Sequence, residues 1–272
     1  MNYTTDFAEI NQIEDLNQQL LRSKKAFKKG DVLSSFSESI RGKEITYLTV
    51  QVSENEHVIL RPEYLQYINH SCNPNAFFDV DSMNLVALKD IQIGEELTFF
   101  YPSTEWKMVQ PFDCFCNSDN CLDRIEGASK INIETLKKYR LSSFISRKAG
   151  FCPCGSTDLF SECCQSKIEG KVKAKTAEEL MRSRYSAYAV SAIQYLIDTT
   201  YKTLRKDQSY KDIEQWSKEN RWQKLEILNA FDNMVEFKAY YLDDSKSQQV
   251  HHENSTFIFE DGSWYYSKGE FK

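Results

Sequence analysis

The chain has 272 residues, of which 41% are hydrophobic and 13% aromatic, enough for packed globular cores and for an expected pair of domains. A net charge of −6 argues against a protein that wraps nucleic acid and leaves another protein, basic ones included, as the expected partner. No apolar run approaches membrane-spanning length.

From Met1 to Asn17 the acidic residues Asp6, Glu9, Glu14 and Asp15 occur without a basic start or an apolar stretch, so no secretory signal is expected. The eight cysteines then belong in a reducing compartment, where their close spacing favours metal over disulfides, and the expected location is cytoplasmic. Phe27 to Leu33 reads as a turn at Gly30 entering a strand. Two scaffold strands follow, Glu44 to Val52 with Ile45, Tyr47, Val50 and Val52, and His57 to Leu60 with Val58 and Leu60. His57 stands at a strand start and is expected to be exposed.

Tyr67-Ile68-Asn69-His70-Ser71-Cys72-Asn73-Pro74-Asn75 is a polar run among apolar, strand-like segments. Alone it reads as a bend, since Asn, Ser and Pro are ordinary turn formers. A hairpin around Asp81 to Asn84 follows, pairing Phe77–Val80 with Leu85–Leu88. Next come Gly94-Glu95-Glu96-Leu97-Thr98-Phe99-Phe100-Tyr101 and then Cys114-Phe115-Cys116, four residues and Cys121.

These segments, in this order, resemble a SET domain with its post-SET cysteine cluster, over residues 14 to 127. The resemblance implies a β-rich fold in which the Asn69 and Glu96 runs pack as a knotted pair. It also implies transfer of a methyl group from S-adenosylmethionine to a lysine amine of a protein substrate. Carried onto this chain, Tyr101 is the catalytic tyrosine and Phe99 shapes the space beside the amine. Asn69, His70, Tyr101 and Leu122 face the cofactor. Cys72 joins Cys114, Cys116 and Cys121 around a structural Zn2+. One departure stands out: the family's Gly-x-Gly turn corresponds here to Gln18-Gln19-Leu20-Leu21-Arg22-Ser23, which has no glycine. Taken alone, Tyr101 reads as a strand tyrosine in an aromatic cluster with Phe99, Phe100 and Trp106, and only the surrounding motifs favour the catalytic role.

Ile131 to Ala149 shows apolar residues at helical spacing with Asn132 as an N-cap, a helical linker between the halves. Cys152-Pro153-Cys154, eight residues and Cys163-Cys164 form a second compact thiol set. Four thiolates leave no open position for a water, so zinc in either set would be structural. Lys167, Lys171, Lys173 and Lys175 read as a solvated loop or a weak phosphate patch. Residues 177 to 201 read as one strong helix, followed by antiparallel strands at 222–231, 234–242, 250–259 and 263–267, the last two joined by Glu260-Asp261-Gly262. His251 and His252 on a strand are expected to be structural, one facing in and one out.

The second thiol set resembles the SEC-C motif. With Leu180-Met181-Arg182-Ser183-Arg184-Tyr185 and Gly262-Ser263-Trp264-Tyr265-Tyr266, this half resembles the YchJ family, whose α+β cone is like that of nuclear transport factor 2. The expected fold class is therefore α+β. A SET domain with its cluster occupies 1–127 (cluster 112–127), a helical linker 128–150, a zinc motif 151–166 and a cystatin-like cone 167–272. The alternative to a methyltransferase is a non-catalytic, zinc-stabilised interaction protein whose halves both bind partners.

Overall fold

Short stretches of alternating apolar and polar side chains bury one face each, and in the first half they build several small sheets rather than one large one. A computed structural model describes residues 5–13, 18–44, 46, 49–245 and 247–272, and the chain divides into units 1–145 and 146–272. Ile45 and Tyr47, expected in a scaffold strand, lie outside the described residues.

In the first unit β1 (Ala8–Ile13) and β2 (Gln18–Ser23) form an antiparallel hairpin. Strands β3 (Val32–Ser35), β4 (Ser37–Gly42), β5 (Thr49–Ser53), β6 (Glu56–Arg61), β7 (Asn69–His70), β8 (Ala76–Asp79), β9 (Asn84–Ala87) and β10 (Thr98–Phe99) follow. They make two three-stranded sheets, ordered β3-β9-β8 and β4-β6-β5, and one short parallel pair, β7 with β10. Last come β11 (Phe112–Asp113) and β12 (Arg124–Ile125), which pair antiparallel around the first cysteine cluster. The core gathers Leu21, Phe36, Phe78, Leu85, Ile91, Leu97 and Phe99.

His57 corrects its expectation: it is 4% exposed, because β6 lies between β4 and β5 and its side chain turns inward. The linker helix also differs. It is two short helices, Ile133–Leu136 and Ser143–Lys148. Asn132 caps the first, accepting from Thr135 N–H. The second is started anew by Asp81, whose carboxylate accepts from Ser143 N–H and Oγ–H, so a tertiary contact overrides the helical period.

In the second unit β13 (Arg221–Phe231), β14 (Met234–Leu242), β15 (Gln248–Glu260) and β16 (Ser263–Phe271) form an antiparallel meander. The turn between β15 and β16 places Asp261 at φ 52° and Gly262 at φ 72°, the pair of positive values that suits a two-residue hairpin. Leu180, Met181 and Tyr185, from the helix Ala177–Ala189, bury against Trp222, Leu225, Val235, Phe237 and Phe257 of the sheet. That helix stops short of the expected 201. Ser191 takes φ 57°, which a continuing helix does not allow, and the chain resumes as the separate helix Ile193–Asp198. No helix among the described residues is long and apolar enough to cross a membrane.

Candidate active site and thiol clusters

The polar run and the Glu-Glu-Leu-Thr run are laid side by side by the β7–β10 pair, Asn69 opposite Thr98 and His70 opposite Phe99. Beyond the pair, Ser71 N–H donates to the Phe99 carbonyl and Asn75 N–H to that of Thr98. Asn75, 3% exposed, is the clamp. Its amide donates to Glu95 Oε1 at 3.0 Å and to the Glu96 carbonyl at 2.7 Å, and its Oδ1 accepts from Thr98 N–H at 2.9 Å. A buried amide with its groups satisfied fixes one register, which an apolar residue could not.

Tyr101 follows directly. Its N–H donates to His70 Nδ1 at 3.3 Å and its hydroxyl to the Ile68 carbonyl at 3.4 Å. Burial first, then the nearby Glu96 charge, pushes the phenol up to about 12, so it stays protonated as a hydrogen-bond donor. With His70 Nδ1 accepting, Nε2 carries the proton and faces Cys72 Sγ at 3.3 Å. Burial brings that imidazole down to about 4, which keeps it neutral. Phe99 packs edge-on to Phe78, centroids 4.7 Å apart, and against Tyr101 at 4.6 Å. A cavity of about 480 Å³ opens here, its wall including Asn69, Phe78, Phe99, Tyr101 and Phe112.

Asn69 sends its amide to the Gln19 carbonyl at 3.0 Å and to Glu96 Oε1 at 3.4 Å. The stretch where the family's glycine turn was expected is therefore strand β2, held by Leu97 N–H on the Leu21 carbonyl and Gly94 N–H on that of Ser23.

The Sγ atoms of Cys72, Cys114, Cys116 and Cys121 lie within 4.8 Å of one another, and so do those of Cys152, Cys154, Cys163 and Cys164. Tetrahedral zinc with bonds of about 2.3 Å needs sulfur–sulfur edges of about 3.8 Å. Cys72–Cys114 measures 4.0 Å, Cys154–Cys163 3.7 Å and Cys163–Cys164 3.8 Å. Both sets fit the ion. Leu122 N–H aims at Cys72 Sγ at 3.4 Å, an outer contact that would orient the ligand, and the Leu122 side chain is half-buried against this cluster.

Tyr139, read from sequence as one more apolar helical position, stacks on Phe100 and bonds the Cys72 carbonyl, as does Asn120. In the second unit Arg182 pairs with Glu178 and donates to the Cys154 carbonyl. Arg184 is buried under the Tyr266 ring, donating to the Leu196 carbonyl and to Thr199 and Thr200. His251 meets Glu253 at 2.7 Å and His252 meets Glu236 at 2.9 Å.

The parallel pair, the Asn75 clamp and the tyrosine beside a thiol cluster define a SET-type methyltransferase half. Residues 18–102 match the SET domain family, and residues 176–269 match the family described as YchJ, middle NTF2-like domain. The chain is 40% identical over 126 residues to the methyltransferase flvH of Aspergillus flavus, covering 46% of this chain and 70% of that protein. It is also 40% identical over 125 residues to the UPF0225 protein GSU1048 of Geobacter sulfurreducens, covering 43% of this chain and 77% of that one. A SEC-C motif containing protein from Rhodopseudomonas palustris has a solved structure similar to 44% of this chain and 96% of its own, at 33% identity and a TM-score of 0.42. The chain belongs to the SET-domain family through its first half and to the UPF0225 (YchJ) family through its second.

Proposed function

We propose that the first half transfers a methyl group from S-adenosylmethionine to a deprotonated lysine amine of a protein substrate. The observation that carries this reading is the meeting of Asn69, Phe99 and Tyr101 at the wall of one cavity, which combines polar side chains with the aromatic rings of Tyr67, Phe78, Phe99, Tyr101 and Phe112. Such a lining suits a small cationic methyl donor beside an amine, and S-adenosylmethionine, when bound, would supply a methyl already activated by its sulfonium. What remains for the protein is alignment, worth several orders of magnitude in rate. Tyr101 offers its hydroxyl to the amine and holds it in line, Phe99 sets the room beside it, and Asn69 faces the donor. Leu122, against the first cluster, would cover the donor's adenine. Cys72, Cys114, Cys116 and Cys121 would hold one zinc and Cys152, Cys154, Cys163 and Cys164 the other, both closing loops rather than reacting.

A second reading rests on β2, which runs without a glycine turn through Gln18–Ser23 and engages Asn69 by way of the Gln19 carbonyl. In that reading the chain is a zinc-stabilised interaction protein. The eight thiols support a cytoplasmic setting under either reading. Calorimetric titration of S-adenosylmethionine into zinc-loaded protein separates them. Saturable binding lost in Asn69→Ala, and methylation of lysine peptides lost in Tyr101→Phe, are expected. No heat from folded, metal-replete protein would leave the interaction reading.

A further inference from the structure

Four residues after Tyr101 the chain places an acid inside the same cavity. Tyr101–Ser103 is a single 3-10 turn, and the N–H of Glu105 donates to the carbonyl of Tyr101 at 3.1 Å, so the two residues are positioned as a unit. Glu105 lines the cavity with Tyr101 and Phe99, and its side chain retains 11% exposure.

Its Oε1 accepts from Gln51 N–H on β5 at 2.8 Å, while Gln51 Oε1 accepts in turn from Trp106 N–H at 3.0 Å. Among the described residues, His57 Nε2 lies 4.0 Å from Oε2, too far for a hydrogen bond. His57 Nδ1 is buried with no hydrogen-bond partner among the described residues. Buried polar groups are nearly all satisfied, so an imidazole nitrogen without a partner, next to an acid that lines a cavity, calls for an explanation.

We infer that Glu105 is the substrate-facing acid of this site, its Oε2 receiving the N–H of a cationic amine and His57 backing it from β6. This rests on the methyl-transfer reading and narrows its acceptor to an amine that arrives as an ammonium. The ammonium gives one proton to the Glu105 carboxylate, leaving a neutral amine and a carboxylic acid. The amine lone pair forms the new N–C bond as the methyl leaves the sulfonium, which becomes a neutral thioether, and the product departs as a methylated ammonium. Glu105 releases its proton to solvent, one for each methyl transferred.

Burial supports the assignment by holding the free carboxyl up at about 8, near the range in which an acid both takes and returns a proton. The titratable groups that face it are His57 from β6 and, across the cavity, Tyr67 and Tyr101.

The test uses the full, zinc-loaded chain and two probes, n-butylammonium and its neutral analogue 1-butanol. Both are titrated at pH 8.5 against the 13C-methyl resonance of Met108, which lines the same cavity. The expected result is about tenfold tighter binding of the cation, the scale of one charge-assisted hydrogen bond. Glu105→Gln, which keeps the acceptor for Gln51, should erase the preference, and Glu105→Asp should retain part of it. Equal binding of the two probes by the natural protein overturns the assignment, as does a preference that survives in Glu105→Gln. The outcomes also separate the two readings. Cation preference without any S-adenosylmethionine binding strikes the methyl-transfer step and leaves the cation site standing. S-adenosylmethionine binding without the preference strikes the cation site alone.

Discussion

The hydroxyl of Tyr139 donates to the carbonyl of Cys72 at 2.9 Å. The same ring lies flat on Phe100, centroids 3.7 Å apart and 7° from parallel. Tyr139 thus joins the first thiol cluster to the strand end that carries Tyr101. Tyr139→Phe keeps the stack and loses one hydrogen bond, with an expected cost of about 1 kcal/mol. Tyr139→Ala loses both and should cost about 2 kcal/mol, aromatic contact included. Chemical denaturation of both variants, with zinc release followed in parallel, checks the order. Equal stability in all three proteins would remove Tyr139 from this role.

Asn75 makes three hydrogen bonds across the parallel pair while buried. Replacing it with Ala leaves the Thr98 N–H and the Glu96 carbonyl without their partner, at about 1 to 3 kcal/mol for each group stranded in the interior. The expected loss is about 3 kcal/mol, read as a lowered denaturation midpoint, and activity should fall with it because Thr98 to Tyr101 lose their register.

Glu105 makes stability depend on pH. Its folded carboxyl sits at about 8 against an ordinary 4.5, raised by burial. A raised acid favours the folded state fully below its unfolded value, and that contribution is lost as pH climbs towards 8, at about 1.4 kcal/mol per pH unit. His57, lowered by burial, acts in the opposite sense: its contribution is present above the ordinary histidine value and is lost as pH falls. Relative to the natural protein, Glu105→Gln should therefore gain about 2 kcal/mol between pH 6 and pH 8. A flat difference in melting temperature across that window would contradict it.

Zinc content should be two per chain, set by two groups of four thiols. Cys116→Ser should reduce it to one and unsettle the first half, while Cys154→Ser should reduce it to one and unsettle the second. Elemental analysis together with a chelator-release assay reads both. Two zincs retained in either variant would show that the four-thiol sets are misassigned.

Phe99 packs against Tyr101 and carries no hydroxyl to hold a blocking water beside the amine. More than one methyl per lysine is expected, and Phe99→Tyr should shift the product towards monomethyl-lysine by mass spectrometry. A natural protein that stops at one methyl, but passes it once residue 99 is made smaller, would refute this.

Sequence alone determined the parts whose chemistry lies in short spacings. The Asn69 to Asn75 run, the Glu95 to Tyr101 run, the Cys114 to Cys121 thiols and the second thiol set are legible because neighbours along the chain stay neighbours in space, whereas Cys72, 42 positions before Cys114, joined its set only through the family resemblance. The strands of the second half were legible too, since each carries its own alternation and turn. The long helices were not: Asp81 restarts one and the positive φ of Ser191 ends another, neither visible in an apolar period. Tyr139 above Cys72, and His57 facing Glu105, were decided only by tertiary structure. These pairs are separated by 67 and 48 positions, and a lone acid, imidazole or phenol has no local pattern to announce it. Burial, and with it the shifted acidity of Glu105, exists only once distant strands have closed around the side chain.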